Sequence, residues 1–248
     1  MPPPERGRPT VEVWEHPAIA RGIERQRAAM SSRIAAGETI VGWKVGLGAP
    51  ATREELGLSG PVVGFLASGC VLASGAAVRV DGWTKPGFEP ELAVHLRADV
   101  EPGSPPEEAA AAIGAMSGAI EIVDVEEPLG ELEAVVAGDV FQRHVIVGPA
   151  DPGRAGGDVA GIRVVVTRDR EGRPTEEVGV TDDATALTGS PAEIVAHVAS
   201  WLAAADERLR AGQFLICGST LPLVWVAAGD WLVYRCEPLG ALTVSFVA

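Results

Sequence analysis

Apolar side chains recur at two different periods along this chain, and the period switches several times. Between about Thr10 and Ala36, Ile19, Ile23, Met30 and Ile34 fall at helical spacing, and Gly37 stands where a C-cap glycine would end the helix. Ile40 to Leu47 then reads as an apolar strand with Lys44 in its middle. Thr52 to Leu56 predicts a short helical turn, and Pro61–Leu66 and Ala76–Val80 predict short strands. From Phe88 to Leu96 every second residue is apolar, the pattern of a strand with one buried face. Ser104-Pro105-Pro106-Glu107 has the form of a capping box, predicting a helix to about Met116, and Ala119–Asp124 predicts another strand. A strand ends in Val145-Ile146-Val147, a loop runs from Pro149 to Gly157, and Ile162–Thr167 with Glu176–Val180 predict a hairpin. Ser190-Pro191-Ala192-Glu193 is a second capping box, predicting a helix to about Leu209. Phe214–Cys217, Trp231–Glu237 and Leu242–Val247 complete a set of strands. The expected class is a β-rich α+β fold with a helical N-terminal piece: residues 1–60 as that piece, packed on a core of residues 61–248.

Composition narrows the function. The 248 residues suit one large domain, and 47% hydrophobic content allows a sizeable core. A formal net charge of −14 argues against nucleic acid and against a membrane surface as partners, because both need clustered Lys and Arg. Residues 1–9 are rich in Pro and Arg and are expected to be disordered; they show no apolar signal region, and no apolar run is long enough to span a bilayer. Cys70, Cys217 and Cys236 are odd in number and lack C-x-x-C spacing, which fits a reducing cytoplasm. Lys44 and Lys85 are the only lysines, so most positions that need just a positive charge have been filled by arginine.

Three carboxylates and one lysine stand out against the apolar background. Glu89 and Glu91 are two apart in a strand and project from one face, where they repel unless something positive lies between them. An oxygen-loving divalent cation, Mg²⁺ or Mn²⁺, would serve; an exposed edge-strand face, which Pro90 permits, is the plainer alternative. Glu121 sits inside an apolar run, which requires a bound cation or an ion pair with one of the arginines. Lys44 shares its strand face with Gly42 and Gly46, an arrangement expected to leave room for a ligand beside the ammonium group.

Taken in order, Gly42-Trp43-Lys44-Val45-Gly46-Leu47, Leu56-Gly57-Leu58, Pro61 and Gly64, Glu89-Pro90-Glu91-Leu92-Ala93 and Glu121-Ile122-Val123-Asp124 resemble the 2-keto-4-pentenoate hydratase and 4-oxalocrotonate decarboxylase family, within the fumarylacetoacetate hydrolase superfamily. Gly212, Gly218-Ser219, Gly229-Asp230 and Leu239-Gly240 continue the resemblance to the C-terminus. It implies a mixed β-sandwich or roll of the superfamily's C-terminal-domain type. It also implies a Mg²⁺ or Mn²⁺ ion on Glu89, Glu91 and Glu121, with Lys44 moving protons beside a small 2-oxo acid or related enolisable substrate. Leu47, Gly48, Val62, Lys85, Ser219 and Thr220 are the expected substrate neighbours, and Asp139 a second catalytic candidate. The family commonly forms homo-oligomers, so self-association is expected here.

The departures are specific. Val62 stands where the family often has an acid–base aspartate, Gly48 where it has a threonine, Val125-Glu126 where it has Ser-Arg, and Gly138-Asp139 where it has Asp-Asn. No histidine falls between Lys44 and Glu91, which disfavours the superfamily's C–C hydrolases. The expected activity is that of a metal-dependent lyase, hydratase or decarboxylase, working through a metal-stabilised enolate. An isomerase, cyclase or dehydratase of a specialised biosynthetic pathway is the enzymatic alternative. A non-catalytic partner subunit of an active homologue is the alternative outside enzymology.

Overall fold

The computed structural model describes residues 11–248, so the expectation of disorder in residues 1–9 lies outside the described residues. In chain order the elements are α1 (Pro17–Ala35), β1 (Ile40–Gly46), α2 (Pro50–Leu56), β2 (Val62–Ala67), β3 (Val71–Leu72), β4 (Ala76–Arg79), β5 (Pro86–Leu96), α3 (Pro106–Ala112) and β6 (Ile113–Asp124). There follow α4 (Leu132–Ala137), β7 (Gln142–Val147), β8 (Arg163–Asp169), β9 (Glu176–Thr181), α5 (Pro191–Ala204), β10 (Phe214–Ser219), β11 (Val224–Trp225), β12 (Trp231–Glu237) and β13 (Gly240–Val247). This is the expected β-rich α+β architecture. No described helix is long and apolar enough to cross a membrane.

Two sheets carry the fold. The first runs β2-β1-β10-β5-β6-β7-β3, with β11 paired to β5; the second runs β4-β13-β12-β8-β9. Residues before position 61 contribute α1, α2 and β1, and β1 is an inner strand between β2 and β10. The first sheet curls. One of its faces holds a small cluster that includes Leu66, Ala93, Ala119, Val145 and Ile216. Strand alternation puts Lys44, Glu89, Glu91, Glu121 and Val123 on that same face. The opposite faces of β5 and β6, with Phe88, Leu92, Met116 and Ile120, join the main core with Val164, Val166, Leu232, Tyr234 and Phe246 of the second sheet. The hairpin of β8 and β9 forms as expected.

Three boundaries depart from the sequence expectation. The helix opened near Ser104 ends at Ala112, not Met116, and its N-cap is Pro105 without a side-chain hydrogen bond, so no capping box forms there. Residues 113–116 instead pair with β5, a tertiary gain that ends the helix right after its run of alanines. The helix opened by the Ser190–Glu193 capping box, which does form, stops at Ala204 rather than Leu209; Asp206 just beyond it has a left-handed φ of 54°. Helix α4 and strands β3 and β11 had no expected counterpart.

Candidate metal and substrate site

The site begins with one register. β5 and β6 pair antiparallel so that Glu89 lies directly opposite Glu121, and Glu91 follows two residues along the same face. Like charges directly opposite each other weaken a sheet. Here one oxygen from each carboxylate lies within 4.8 Å of the others, and Glu91 and Glu121 are fully buried. β5 is an inner strand, so the edge-strand reading of the Glu-x-Glu face is excluded.

Pro90 has a constructive role in this central strand. It has no N–H to give to a neighbour. The pairing of β10 with β5 shifts register between Ile216 and Ser219, opposite the stretch from Glu91 to Ala93 that follows Pro90. At that break Gly218 adopts φ +92° and donates its N–H to Glu91 Oε2 at 2.8 Å. The Pro90 carbonyl accepts from the Thr220 N–H and, at 2.8 Å, from its hydroxyl. Tyr234 of the second sheet donates its hydroxyl to the Glu91 carbonyl at 2.7 Å. Glu91 is thus held at its carboxylate by Gly218 and at its carbonyl by Tyr234.

Lys44 enters from β1. Its Nζ donates to Glu121 Oε1 at 2.5 Å and to the Val140 carbonyl at 2.8 Å. Glu121 therefore pairs with a lysine rather than with one of the arginines. An ammonium has three donors, so one N–H is left for the cleft that Lys44 lines. The room expected beside Lys44 is there on one side, where Lys44 and Gly46 line a cleft, while the glycines themselves are backed by protein atoms. A Cβ on Gly42 would run into the Phe214 carbonyl, and one on Gly46 would lie 2.5 Å from Val140 Cγ1. Opposite Lys44 in β2, a Cβ on Gly64 would lie 2.9 Å from Asp139 Oδ1 and 3.0 Å from Lys44 Cγ. The glycines thus admit close protein neighbours, and at Gly46 and Gly64 these pack around Lys44.

The turn that supplies the Val140 carbonyl is strained. Asp139, Val140 and Phe141 all have left-handed φ values of 57°, 54° and 68°. Such a conformation costs about 1–3 kcal/mol per residue and persists only where surrounding contacts enforce it. Asp139 Oδ1 provides two of those contacts, accepting from the Phe65 N–H at 2.8 Å and from Gln26 Nε2 at 3.1 Å. Nothing in the residue types signals this turn, because β-branched Val disfavours it. The Gly218 N–H and the Val140 carbonyl are the parts of the site that residue-type reasoning misses.

Electrostatics follow from burial and crowding. Burial opposes the charge on Lys44, but Glu121 and Glu89 outweigh it and hold its pKa above the usual lysine value. Burial and Glu121 push Glu89 up to about 7 against the pull of Lys44. Glu91 is raised well above the usual range by burial, then by Glu121 and Glu89. Glu121 is raised by burial, with Lys44 opposing. Burial raises Asp139 to about 8, against the hydrogen bond from Phe65.

The residues fit a divalent cation. Three ionised carboxylates against one ammonium leave two negative charges in a buried space, the charge such an ion neutralises. Glu121 Oε2 is buried with no hydrogen-bond partner, an atom that demands one. All the donors are hard oxygens, which suit Mg²⁺, Mn²⁺ or Ca²⁺ better than zinc.

A cleft of about 480 Å³ opens from this cluster. Glu89, Lys44, Leu47, Gly48, Lys85 and Ser219 line it. Two of the expected substrate neighbours lie elsewhere. Val62 is buried in β2 opposite Gly46, and Thr220 is turned to the Pro90 carbonyl. Asp139 sits behind Lys44 rather than on the cleft wall.

Comparisons with known proteins bear on the fold and the family. A 2-hydroxyhexa-2,4-dienoate hydratase from Comamonas testosteroni is 30% identical over 219 residues, covering 86% of this chain and 81% of that protein. A solved structure of 4-oxalocrotonate decarboxylase from Pseudomonas putida G7, complexed with magnesium and adipate, matches with a TM-score of 0.82 at 29% identity, over 92% of this chain and 86% of that one. The same enzyme complexed with calcium and acetate matches with a TM-score of 0.80, at 29% identity over 92% of this chain and 85% of that one. Residues 45–247, from the strand of Lys44 to the end of β13, match the fumarylacetoacetate (FAA) hydrolase C-terminal family, and the chain belongs to that family.

Proposed function

We propose that the protein is a divalent-metal-dependent lyase of the hydratase or decarboxylase type, acting on an enolisable 2-oxo acid. The carrying observation is the buried Glu89–Glu91–Glu121 cluster with Lys44 hydrogen-bonded into it at the head of the cleft. Relatives named as a hydratase and a decarboxylase support the reaction class. Glu89, Glu91 and Glu121 hold the ion, Mg²⁺ or Mn²⁺. When bound, the ion supplies Lewis-acid polarisation of the substrate's 2-oxo oxygen.

The chain's own groups do the rest. Lys44 is cationic at neutral pH and keeps one N–H for the substrate, so it acts first as a proton donor at the reacting carbon or oxygen. Glu121 and the Val140 carbonyl fix the direction of that N–H. Asp139 acts through the Val140 turn as a positioning residue. Val62 cannot transfer a proton, which leaves the proton chemistry to Lys44. Leu47, Gly48 and Ser219 shape the wall beside the reacting end, and Lys85 stands further along it.

The reading extends to a cytoplasmic homo-oligomer. Cys70, Cys217 and Cys236 are free and buried, which suits a reducing compartment. Trp231 and Val247 are large apolar side chains left exposed, which suits a subunit interface. The test is turnover of 2-hydroxydienoates and unsaturated 2-oxo acids with short, carboxylated and aryl-bearing tails by metal-stripped and Mg²⁺-reloaded protein, with products identified. Metal-dependent hydration or decarboxylation supports the proposal. Isomerised or cyclised products alone, or no turnover by reloaded protein, would overturn it.

A further inference from the structure

The cleft is polar at one end only. Past Glu89 its walls are Val123, Val125 and Leu129 from the β6 side and Leu221, Leu223 and Trp225 from the segment between β10 and β11. Trp225 is 45% exposed and Leu129 41%, large apolar surfaces at the rim of a concave site. Lys85, the residue just before β5, is the one charged group at this end, four positions ahead of Glu89 in the chain and lining the same cleft. Its Nζ is 4.0 Å from the Trp225 ring centroid. No carboxylate pairs with it among the described residues.

Each of these observations points the same way. A volume of about 480 Å³ falls in the range of sites that enclose molecules much larger than a simple short-chain 2-oxo acid. The charged cluster at the head accounts for the 2-oxo carboxylate end of a ligand. Lys85 apart, the stretch beyond it offers apolar side chains, which suit a flat or bulky apolar group better than a polar chain. The cation over Trp225 fixes the indole as one wall of that stretch.

We infer that the far half of the cleft is a subsite for an apolar, aryl-type substituent of the substrate, with Trp225 as the stacking surface and Lys85 as the residue that orients it. This rests on the proposed 2-oxo acid chemistry and names the substrate class within it. The substrate is a 2-oxo acid carrying a large apolar tail, not a short aliphatic acid and not a dicarboxylate with its second charge on Lys85.

Calorimetric binding to the Mg²⁺-loaded protein separates the possibilities. The probes are pyruvate, 4-phenyl-2-oxobutanoate and 2-oxoadipate. The phenyl acid is expected to bind at least about tenfold tighter than pyruvate. Trp225→Ala is expected to remove most of that gain while leaving pyruvate binding unchanged, and Lys85→Met to remove only part of it. If pyruvate binds but the phenyl acid binds no tighter, the subsite is wrong and the 2-oxo acid reading stands. If 2-oxoadipate binds tightest and Lys85→Met abolishes that preference, Lys85 recognises a distal carboxylate and the inference is overturned. If none of the three binds, the 2-oxo acid reading itself fails. Should Trp225 lie under a second subunit, Trp225→Ala would change the sedimentation coefficient and leave the phenyl acid's affinity alone, which also overturns it.

Discussion

Lys44 places its Nζ 2.5 Å from Oε1 of Glu121, although β10 and β5 lie between their strands. On a flat sheet three strand spacings would separate the two backbones by about 14 Å. The two long side chains close that gap over the face of β10 and β5, so the ion pair ties together strands that do not pair with each other. Breaking the pair by shortening Lys44 leaves Glu121 buried beside two other carboxylates. Lys44→Ala and Lys44→Arg are both expected to lower kcat about a hundredfold or more while still binding Mg²⁺, because arginine keeps the charge but does not readily give up a proton. Near-normal kcat in Lys44→Arg would make Lys44 an electrostatic anchor only.

The metal-free protein is expected to lose stability as pH rises. Glu89 has its pKa raised from the ordinary 4.5 to about 7, and Glu91 and Glu121 are shifted in the same direction. A carboxyl raised on folding contributes stability in its protonated form. That contribution is complete below the unfolded pKa and is lost as pH climbs through about 7 for Glu89. Thermal melts of stripped protein at pH 5.5 and pH 8 should show the midpoint falling by on the order of 5 °C. Saturating Mg²⁺ should cancel the fall, since the ion binds the ionised form. Glu89→Gln should raise the midpoint of stripped protein at pH 8 and abolish the response to Mg²⁺. A stripped protein equally stable at both pH values would contradict the crowding of these carboxylates.

Gly64 tests the packing around Lys44. A methyl group there meets Asp139 Oδ1 at 2.9 Å and Lys44 Cγ at 3.0 Å, both side-chain atoms that must shift. Gly64→Ala is expected to fold, to bind Mg²⁺ normally and to lose about tenfold or more in kcat, because a small misplacement of a catalytic group is costly. Unchanged kcat would show that Lys44 tolerates displacement.

Asp139 separates positioning from proton transfer. Asp139→Ala removes the acceptor of the Phe65 N–H and of Gln26, at about 1–3 kcal/mol of stability, and frees the Val140 turn. Asp139→Asn keeps an acceptor oxygen and tolerates the left-handed φ of 57°. If Asp139 only positions, Asn should recover most of the kcat that Ala loses, with an unchanged pH profile. If Asn is as slow as Ala while the fold is intact, Asp139 transfers a proton itself.

Local pattern carried much of this site, and distant pairing carried the rest. Alternation from Phe88 to Leu96 is a local property, so the shared face of Glu89 and Glu91 could be read directly. Burial of Lys44 and Glu121 could be read from their apolar neighbours, but their partnership could not, because it depends on sheet order. Residues 113–116 follow four consecutive alanines and looked like the end of their helix, and pairing with β5 decided otherwise. The left-handed run at 139–141 contradicts the preferences of its own residues and is held from outside, by Phe65, Gln26 and Lys44. The glycines around Lys44 were visible, but which atoms would fill the space beside them was not.

The central claim is that Glu89, Glu91 and Glu121 together hold one divalent cation. An anomalous difference map from crystals soaked in Mn²⁺ tests it most directly. The predicted result is a single strong peak within about 2.0–2.3 Å of one oxygen from each of the three glutamates, lost in crystals of Glu121→Gln. A peak elsewhere on the molecule, or none at the cluster at millimolar Mn²⁺, would contradict it.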